Sequence, residues 1–416
     1  MLHRLRVWSI GLCGSVVLAA GAISVGAAPA GADQGNALFV GCGSGSYQTI
    51  GAAVLAASSG QTIFVCQGTY DENVVIPSSK QLAIRGIGVP VIDASGPGTG
   101  PYPGVQVLSS GSEIVGLTIE NAFGEGILVG FEPGTASGPP VSDVVILANT
   151  VVNNDQGNPT GLPLLSSSYG ECAEKLQPAP APPIPGDCGE GIHLLSAVDS
   201  VVANNTVTGN SGGILLTDEN GPTYGNLIKG NYVSNNQYDC GVTVAGHNIA
   251  AAGGVHDNAI VDNTVTDNGV LGQGAGVVFA SPVPGGAYGT GGAVYDNLVK
   301  GNFIWGNGLG GVTVHSHSTG QDLNGNVIRN NVIGTNNLDP DSDFAFAGAD
   351  FVDGQTTGIV IATLSDISIT IQSNVIVDDT NGVWIGEVFG ATVTVIGSAL
   401  SNVFYGVTTP VVTVTH

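Results

Sequence analysis

Adjacent carboxylic acids and several histidines give this sequence a candidate site for acid–base chemistry. Asp218 and Glu219 are neighbours, and His247 follows in the next repeat of the chain. Two carboxyl groups on either side of a glycosidic bond can hydrolyse it, one as acid and the other as base or nucleophile. An imidazole can exchange protons in the same reactions near neutral pH. We therefore predict a catalytic centre around these three residues.

A group of aspartates further along has the spacing of a calcium loop. Asp339, Asp341 and Asp343 alternate, and Asp350 stands at the twelfth position, where such loops place an acidic ligand. Phe344 occupies the sixth position, which normally needs glycine for a sharp turn. Two interpretations remain: a bound calcium ion or a solvated acidic loop. Calcium is the one candidate cofactor.

Repeated short strands must hold these side chains in place. An asparagine recurs with β-branched residues two positions later and three positions earlier, at Asn149, Asn205, Asn231, Asn263, Asn302, Asn331 and Asn374. A glycine recurs with apolar residues one and three positions later, at Gly126, Gly191, Gly213, Gly241, Gly276, Gly311, Gly358 and Gly382. Apolar residues at alternate positions indicate strands with one buried face, and successive copies indicate stacked repeats.

A strand that returns once per repeat must run parallel to its copies. The sequence therefore predicts an all-β protein, a parallel β-helix or solenoid with about 4.8 Å between coils. The recurring asparagines would stack into a ladder, and a second ladder would contain Asn226, Asn258, Asn297 and Asn326. Residues 47–57 are predicted as the one helix, with Ile50, Val54 and Leu55 as its apolar stripe.

This pattern resembles the right-handed parallel β-helix proteins of the pectate-lyase-like superfamily over roughly residues 37–414. The resemblance implies a right-handed coil, an N-terminal capping helix and a substrate groove over the sheet of glycine strands. The superfamily includes lyases, hydrolases, epimerases, adhesins and scaffolds, so the resemblance does not select an activity. The polygalacturonase motifs are incomplete, because His247 is followed by Asn248 and no R-I-K sequence is present.

Pectate lyases of this superfamily use an arginine or lysine base on the groove. The stacked cations of this chain, Lys229, Lys300 and Arg329, all precede a ladder asparagine by two residues. That position places them on a different sheet from the glycine strands. We interpret them as surface ion pairs.

Long insertions favour the face of the glycine strands as the functional one. Residues 155–190, 246–255, 281–293 and 335–357 all adjoin a glycine strand, whereas the asparagine turn is short in every repeat. On this face we predict His193 and His315 as further catalytic groups. We predict sugar contacts from Thr243, Thr313, His317, Trp305 and Trp384. The alternative is that the histidines only form hydrogen bonds to loops.

Residues 1–32 have the features of a secretory signal peptide, with a basic start, an apolar stretch and a small-residue cleavage site near Ala32; the alternative is a membrane anchor. We expect residues 33–416 to form one β-helix domain of a secreted, monomeric protein without membrane insertion. The net charge of −24 disfavours nucleic acid, anionic membranes and polyanionic sugars as partners. Extracellular polysaccharide or another glycan is the expected partner.

An exported protein can keep disulfides. Cys42 with Cys66, and Cys172 with Cys188, are the simplest local pairs, which leaves Cys240. Cys240 is either a buried thiol or a nucleophile near His247.

Two classes of function remain open. One is an enzyme, hydrolase-like or lyase-like, acting on a neutral or weakly charged glycan. The other is a non-catalytic exported scaffold or surface-binding protein. A convergent pair of carboxyl groups would distinguish the first from the second.

If calcium binds at Asp339, Asp341, Asp343 and Asp350, it should raise the melting temperature, because a ligand that binds only the native state stabilises it. The measurement compares melting curves in chelator and in millimolar calcium, with metal analysis of the purified protein. Identical curves together with a metal-free protein would remove this site.

Overall fold

The computed structural model describes residues 37–415, except 97–98, 101, 132–137, 156–189, 247–252, 272–273, 282–291, 317–318, 339–354, 388–389 and 399–400. Several predictions lie outside the described residues. They are the signal peptide, the Cys172–Cys188 pair, His247, His317, and the calcium ligands Asp339, Asp341, Asp343 and Asp350.

The described chain coils through parallel sheets, and each coil adds one strand to every sheet it passes. Sheet 1 contains Leu38–Val40, Thr62–Cys66, Ala83–Ile87, Glu113–Val115, Val145–Leu147, Val201–Ala203, Leu227–Lys229, Ala259–Val261, Leu298–Lys300, Val327–Arg329, Ile367–Gln372 and Val393–Ile396. Sheet 2 contains Thr69–Tyr70, Val91–Asp93, Thr118–Glu120, Thr150–Val152, Thr206–Thr208, Tyr232–Ser234, Thr264–Thr266, Phe303–Trp305, Val332–Gly334, Val375–Val377 and Val403–Tyr405.

The glycine strands form sheet 3, and the middle coils add a short fourth strand. Sheet 3 contains Val74–Ile76, Val105–Val107, Ile127–Val129, Ile192–Leu195, Ile214–Thr217, Val242–Ala245, Val277–Ser281, Val312–Ser316, Thr357–Thr363, Asn381–Glu387 and Thr409–Thr415. Sheet 4 contains Val141–Ser142, Ala197–Val198, Thr223–Tyr224, Val255–His256 and Val294–Tyr295. The predicted right-handed parallel β-helix is confirmed.

Aliphatic side chains from the sheets fill one continuous core along the axis. In sheet 1, Val202 pairs with Ile228, and Ile228 pairs with Ile260, so that like residues stack on like residues. All three side chains are fully buried. The alternation seen in the sequence is therefore the alternation between core and outer surface.

Buried asparagines connect the coils at the turn between sheets 1 and 2. In each step the backbone N–H and the side-chain Nδ2 of one asparagine donate to Oδ1 of the next, as Asn231 does to Asn263 at 2.9 and 3.0 Å. Nδ2 also donates to a backbone carbonyl, that of Val202 in the case of Asn231. Both predicted ladders are confirmed, and the first continues one step further, from Asn374 to Asn402.

A third ladder, which the sequence reasoning missed, follows sheet 2. It contains Asn154, Asn210, Asn236, Asn268, Asn307 and Asn336. Asp379 takes the next position and accepts a hydrogen bond from the backbone N–H of Asn336 at 3.1 Å. Its Oδ2 is buried and has no hydrogen-bond partner in the described part of the chain. Each ladder asparagine uses the equivalent Nδ2 to donate to a backbone carbonyl.

Glycine is required at the start of most sheet 3 strands, because a side chain there would collide with neighbouring coils. A Cβ on Gly126 would lie 2.7 Å from Nδ2 of Asn154, and one on Gly241 would lie 2.8 Å from Nδ2 of Asn268. Real Cβ atoms do not approach other atoms so closely. The recurring glycines are therefore a steric requirement of the turn after the third ladder.

The helix α1, Ile50–Ala56, lies near the N-terminal end of the coil. Thr49 caps its first turn, and the Glu72 carboxylate accepts hydrogen bonds from the N–H groups of Ile50 and Gly51 at 2.6 and 2.8 Å. Its buried face contains Ile50, Ala53 and Val54. The prediction for Leu55 was wrong, because this side chain is 81% exposed. The capping role of α1 stays a prediction.

A disulfide joins Cys42 and Cys66, as predicted, with 5.2 Å between their Cα atoms. It ties the chain just before α1 to a strand of sheet 1. At the other end, the strands continue to Thr415 in sheet 3. Among the described residues, no helix is long and apolar enough to cross a membrane.

Asp379→Asn should stabilise the protein at high pH. Burial is the main cause that raises the pKa of Asp379 to about 7, and the negative charge of Asp378 adds to it. In the unfolded chain an aspartate titrates near 4, so between about pH 4 and 7 the folded protein holds a proton that the unfolded chain has lost. The free energy of unfolding therefore falls as pH rises through this window.

Asparagine cannot ionise and can donate as the other ladder amides do. We expect the variant to gain roughly 2 kcal/mol at pH 8 and much less near pH 4, measured by urea unfolding. Asp71→Asn, at an exposed position in an N-terminal coil, is the control for the change in net charge. Equal unfolding free energies of wild type and Asp379→Asn at pH 8 would contradict this account.

Candidate functional site

The outer side of sheet 3 carries one row of side chains that point away from the core. The row runs in register through Gln106, Leu128, His193, Leu215, Thr243, Val278, Thr313, Val360, Trp384 and Val412. Although it lies outside the core, most of the row is buried, including His193, Thr243, Thr313 and Trp384. The outward register that the sequence predicted is confirmed.

An imidazole and a carboxyl group meet on this face. His193 lies in the strand Ile192–Leu195, and its Nδ1 is 3.7 Å from Oε1 of Glu125 in the preceding coil. On its other side, His193 Nε2 is 2.7 Å from the hydroxyl of Thr217 in the following coil. Glu125 is 1% exposed, and His193 and Thr217 are 0% exposed. Three consecutive coils therefore contribute to one buried polar chain.

Glu190 lies next to this chain, at the position just before its glycine. Because Ile127 pairs with Ile192, Glu125 and Glu190 occupy equivalent positions one coil apart, about 4.8 Å along the axis. Glu190 is 1% exposed. We call Glu125, Glu190, His193 and Thr217 the acid–base cluster.

A third carboxyl group, that of Asp239, approaches Glu190 across Gly212. A Cβ on Gly212 would lie 3.2 Å from both the Cγ of Glu190 and the Cβ of Asp239, so glycine leaves the space that these side chains occupy. Asp239 Oδ1 also accepts a hydrogen bond from the N–H of Cys240 at 2.6 Å. The acidic residues thus follow the edge at which the sheet 3 strands begin.

Only some of the residues predicted from the sequence come together here. Asp218 directly follows Thr217 and is fully buried, so it lies one coil from His193; Glu219 follows and is partly exposed. His315 is three coils beyond Thr217 in the same register, about 14 Å away. Trp384 lies further along sheet 3, and Trp305 lies in sheet 2. Of the predicted site residues that the structure describes, Asp218 and His193 lie in adjacent coils.

The sequence reasoning missed Glu125, Glu190 and Asp239. The signal was present, because a glutamate stands immediately before the aligned glycine in two repeats, Gly126 and Gly191. These glutamates precede the glycine, whereas the site residues predicted on this strand follow it. In the described residues, no group of three or more His, Cys, Asp or Glu side chains is arranged to hold a metal ion.

The free thiol of Cys240 lies on the same edge but lacks the surroundings of a nucleophile. It packs with Ala275 and Val278, and the N–H of Ala275 donates to its Sγ at 3.1 Å. Burial, and after it the negative charge of Asp239, raise the pKa of the Cys240 thiol well above its usual value. A thiol that remains protonated is a poor nucleophile.

Cys240 should therefore resist alkylation in the folded protein. We expect little labelling by iodoacetamide at pH 8 under native conditions and full labelling in denaturant, with the modified peptide identified by mass spectrometry. Rapid stoichiometric labelling of Cys240 in the native protein would show that the thiol is activated.

Comparison with curated protein sequences gives no match. Among solved structures, the A-module of a mannuronan C-5 epimerase from Azotobacter vinelandii is 17% identical, with 88% of this chain and 93% of that one covered and a TM-score of 0.45. A pectate lyase is 14% identical, with coverages of 81% and 79% and a TM-score of 0.43. A pectin methylesterase from Aspergillus niger is 12% identical, with coverages of 82% and 87% and a TM-score of 0.37.

The family described as right handed beta helix region matches residues 100–319. This range is more than half of the chain, and it includes the coils that carry the acid–base cluster. The parallel sheets and the matched range agree, and the chain belongs to the right-handed β-helix family.

Proposed function

We propose that the protein acts on polysaccharide by acid–base chemistry at the outer face of sheet 3. The observation that carries this proposal is the chain Glu125–His193–Thr217, with Glu190 one coil from Glu125. Buried ionisable groups cost free energy, and they concentrate at sites where proteins do chemistry. A reason independent of stability is therefore needed for their presence.

The fold itself does not need carboxyl groups at these positions. The residues equivalent to Glu125 and Glu190 in later coils are small or uncharged, for example Gly212, Ala275 and Gly310. Those coils have the same strands and the same glycine turn. The presence of two glutamates in successive coils therefore favours a functional role for them over a structural one.

The geometry supplies distinct roles. Glu125 is placed to orient the imidazole of His193, and the other ring nitrogen faces the hydroxyl of Thr217. Glu125 and Glu190, one coil apart, would act as the proton donor and proton acceptor for a glycosidic bond. Asp218 and Glu219 directly follow Thr217 in the chain and are the second supply of carboxyl groups.

A linear polymer suits this face better than a small molecule. From His193 the outward row continues in register to Thr313 and Trp384, six coil spacings or about 29 Å in all. A sugar chain along the axis would meet hydroxyl groups and then an indole. Because the row is buried, binding requires this face to open.

We also propose that the protein is exported and monomeric. The disulfide between Cys42 and Cys66 supports an oxidising compartment. The predicted signal peptide is consistent with this location.

Glu125→Gln and Glu190→Gln should each lower activity about a hundredfold or more, as expected for loss of a group that transfers protons. Activity is measured on a panel of polysaccharides, with new reducing ends and unsaturated products both scored. Glu120→Gln removes a carboxyl group from sheet 2 in the same coil as Glu125 and should leave activity unchanged.

Three outcomes would count against the proposal. Full activity in folded Glu125→Gln and Glu190→Gln variants would exclude the acid–base cluster. If instead Asp218→Ala with Glu219→Ala abolishes activity while the glutamine variants do not, the centre lies at Asp218. No cleavage and no binding on any polysaccharide would leave the protein as a scaffold.

A further inference from the structure

The few described basic residues of this acidic protein fall into two groups: two that bind to other protein groups, and three that do not. The Lys80 ammonium group donates hydrogen bonds to the carbonyl groups of Val54 and Leu55 at the end of α1, at 2.9 and 2.7 Å. Arg85 forms an ion pair with Glu113 across adjacent strands of sheet 1. These two cations stabilise the N-terminal coils.

The other described cations form a column on the outer side of sheet 1, which we call the basic column. It contains Lys229, Lys300 and Arg329. In the register of sheet 1, Val261 lies between Lys229 and Lys300, and Arg329 pairs directly with Lys300. Their side chains make no ion pair or hydrogen bond to the described residues, and Nε of Arg329 is buried without a partner. The interpretation of these residues as surface ion pairs was wrong.

Without an anionic partner, the stacked positive charges of the basic column destabilise the protein. Lys300 and Arg329 are direct register partners, about 4.8 Å apart along the axis, and like charges directly opposite each other repel. Asp262, the acidic residue at the adjoining turn, has its carboxylate beside Gly301 and forms no ion pair with the column, within the described residues. The column therefore presents unneutralised positive charge.

Exposed aromatic rings flank the same turn on sheet 2. Tyr232 and Phe303 are 47% and 42% exposed, two coils apart. The Phe303 ring stacks on that of Trp305, with 5.9 Å between centroids and 11° between planes. The indole lies over Gly334 in the next coil, where a side chain would collide with it. Glycine thus makes room for a flat aromatic surface beside the cations.

We infer that the basic column and these rings bind an anionic sugar polymer that runs along the axis. Lysine and arginine would pair with its carboxylate or sulfate groups, and the rings would pack against its apolar sugar faces. The four coils from Lys229 to Arg329 extend about 14 Å along the axis, and the column is one residue wide. At a net charge of −24, a broad anionic surface would be repelled, whereas a single thin chain can align with the column.

This surface is separate from the acid–base cluster, since it lies on sheets 1 and 2 and the cluster lies on sheet 3. It would hold a polymer without reacting with it. The inference therefore does not depend on catalysis at sheet 3.

Three dextrans of equal length test the inference with the full-length protein: neutral, carboxymethylated and sulfated. Binding is measured by calorimetry at low ionic strength. We expect binding to one or both charged dextrans, weakening as salt is added, and none to the neutral one. Comparing carboxymethylated with sulfated dextran identifies the anion.

Lys300→Gln with Arg329→Gln should weaken binding about tenfold. It should not lower the melting temperature, because it removes the repulsion between these residues. Ser78→Asp with Ser79→Asp, at exposed positions in an N-terminal coil, changes the net charge equally and should not weaken binding as much. Asp262→Asn should strengthen it.

Polyglutamate separates sugar recognition from charge alone. Phe303→Ala with Trp305→Ala should weaken binding of the charged dextrans and leave binding of polyglutamate unchanged. Failure of both charged dextrans to bind, or equal losses in the two charge variants, would overturn the inference. If polyglutamate and charged dextran bind equally, and loss of the rings affects neither, the site recognises negative charge and not sugar.

Discussion

Vertical hydrogen bonding between coils is the constraint on which this structure depends. Each strand lies in register over its copy, and a buried amide at the turn must find both donors and acceptors in the neighbouring coils. Asparagine does so with two bonds to the next Oδ1 and one to a carbonyl, as at Asn263. No residue can be added to such a turn without breaking the ladder. Differences in coil length therefore occur elsewhere, beside sheet 3.

The same register turns a position in the repeat into a column on the surface. Where the column is structural, as for the glycines before sheet 3, a Cβ would collide with the core and the residue type cannot vary. The position immediately before the glycine varies from coil to coil, and it holds Glu125, Glu190, Gly212 and Ala275. A functional group can therefore occur in one coil while a neighbouring coil leaves space for it, as Gly212 does beside Glu190.

The sequence was sufficient for the core positions, the outward register of sheet 3 and two ladders, because apolar residues or asparagines recur there at a fixed spacing. It also carried the recurrence of the third ladder, from Asn154 to Asn336, which was missed. It was insufficient where the type changes between coils, as at Glu125 and Glu190. Leu55 was misassigned because contacts with the sheets, and not its own periodicity, orient the seven-residue helix. The sequence also could not show whether Lys300 forms an ion pair, because the repeats do not reveal which side chains face it.

The ladders and the basic column apply one geometry with opposite results. Stacked amides stabilise each other, because every amide both donates and accepts and the column satisfies itself. Stacked cations have only donors and repel one another, so the column around Lys300 and Arg329 can be neutralised only by groups from elsewhere. The interior of the described coil meets most of its own polar requirements. A ligand is expected to bind where a column of like side chains has donors but no acceptors of its own, as in the basic column.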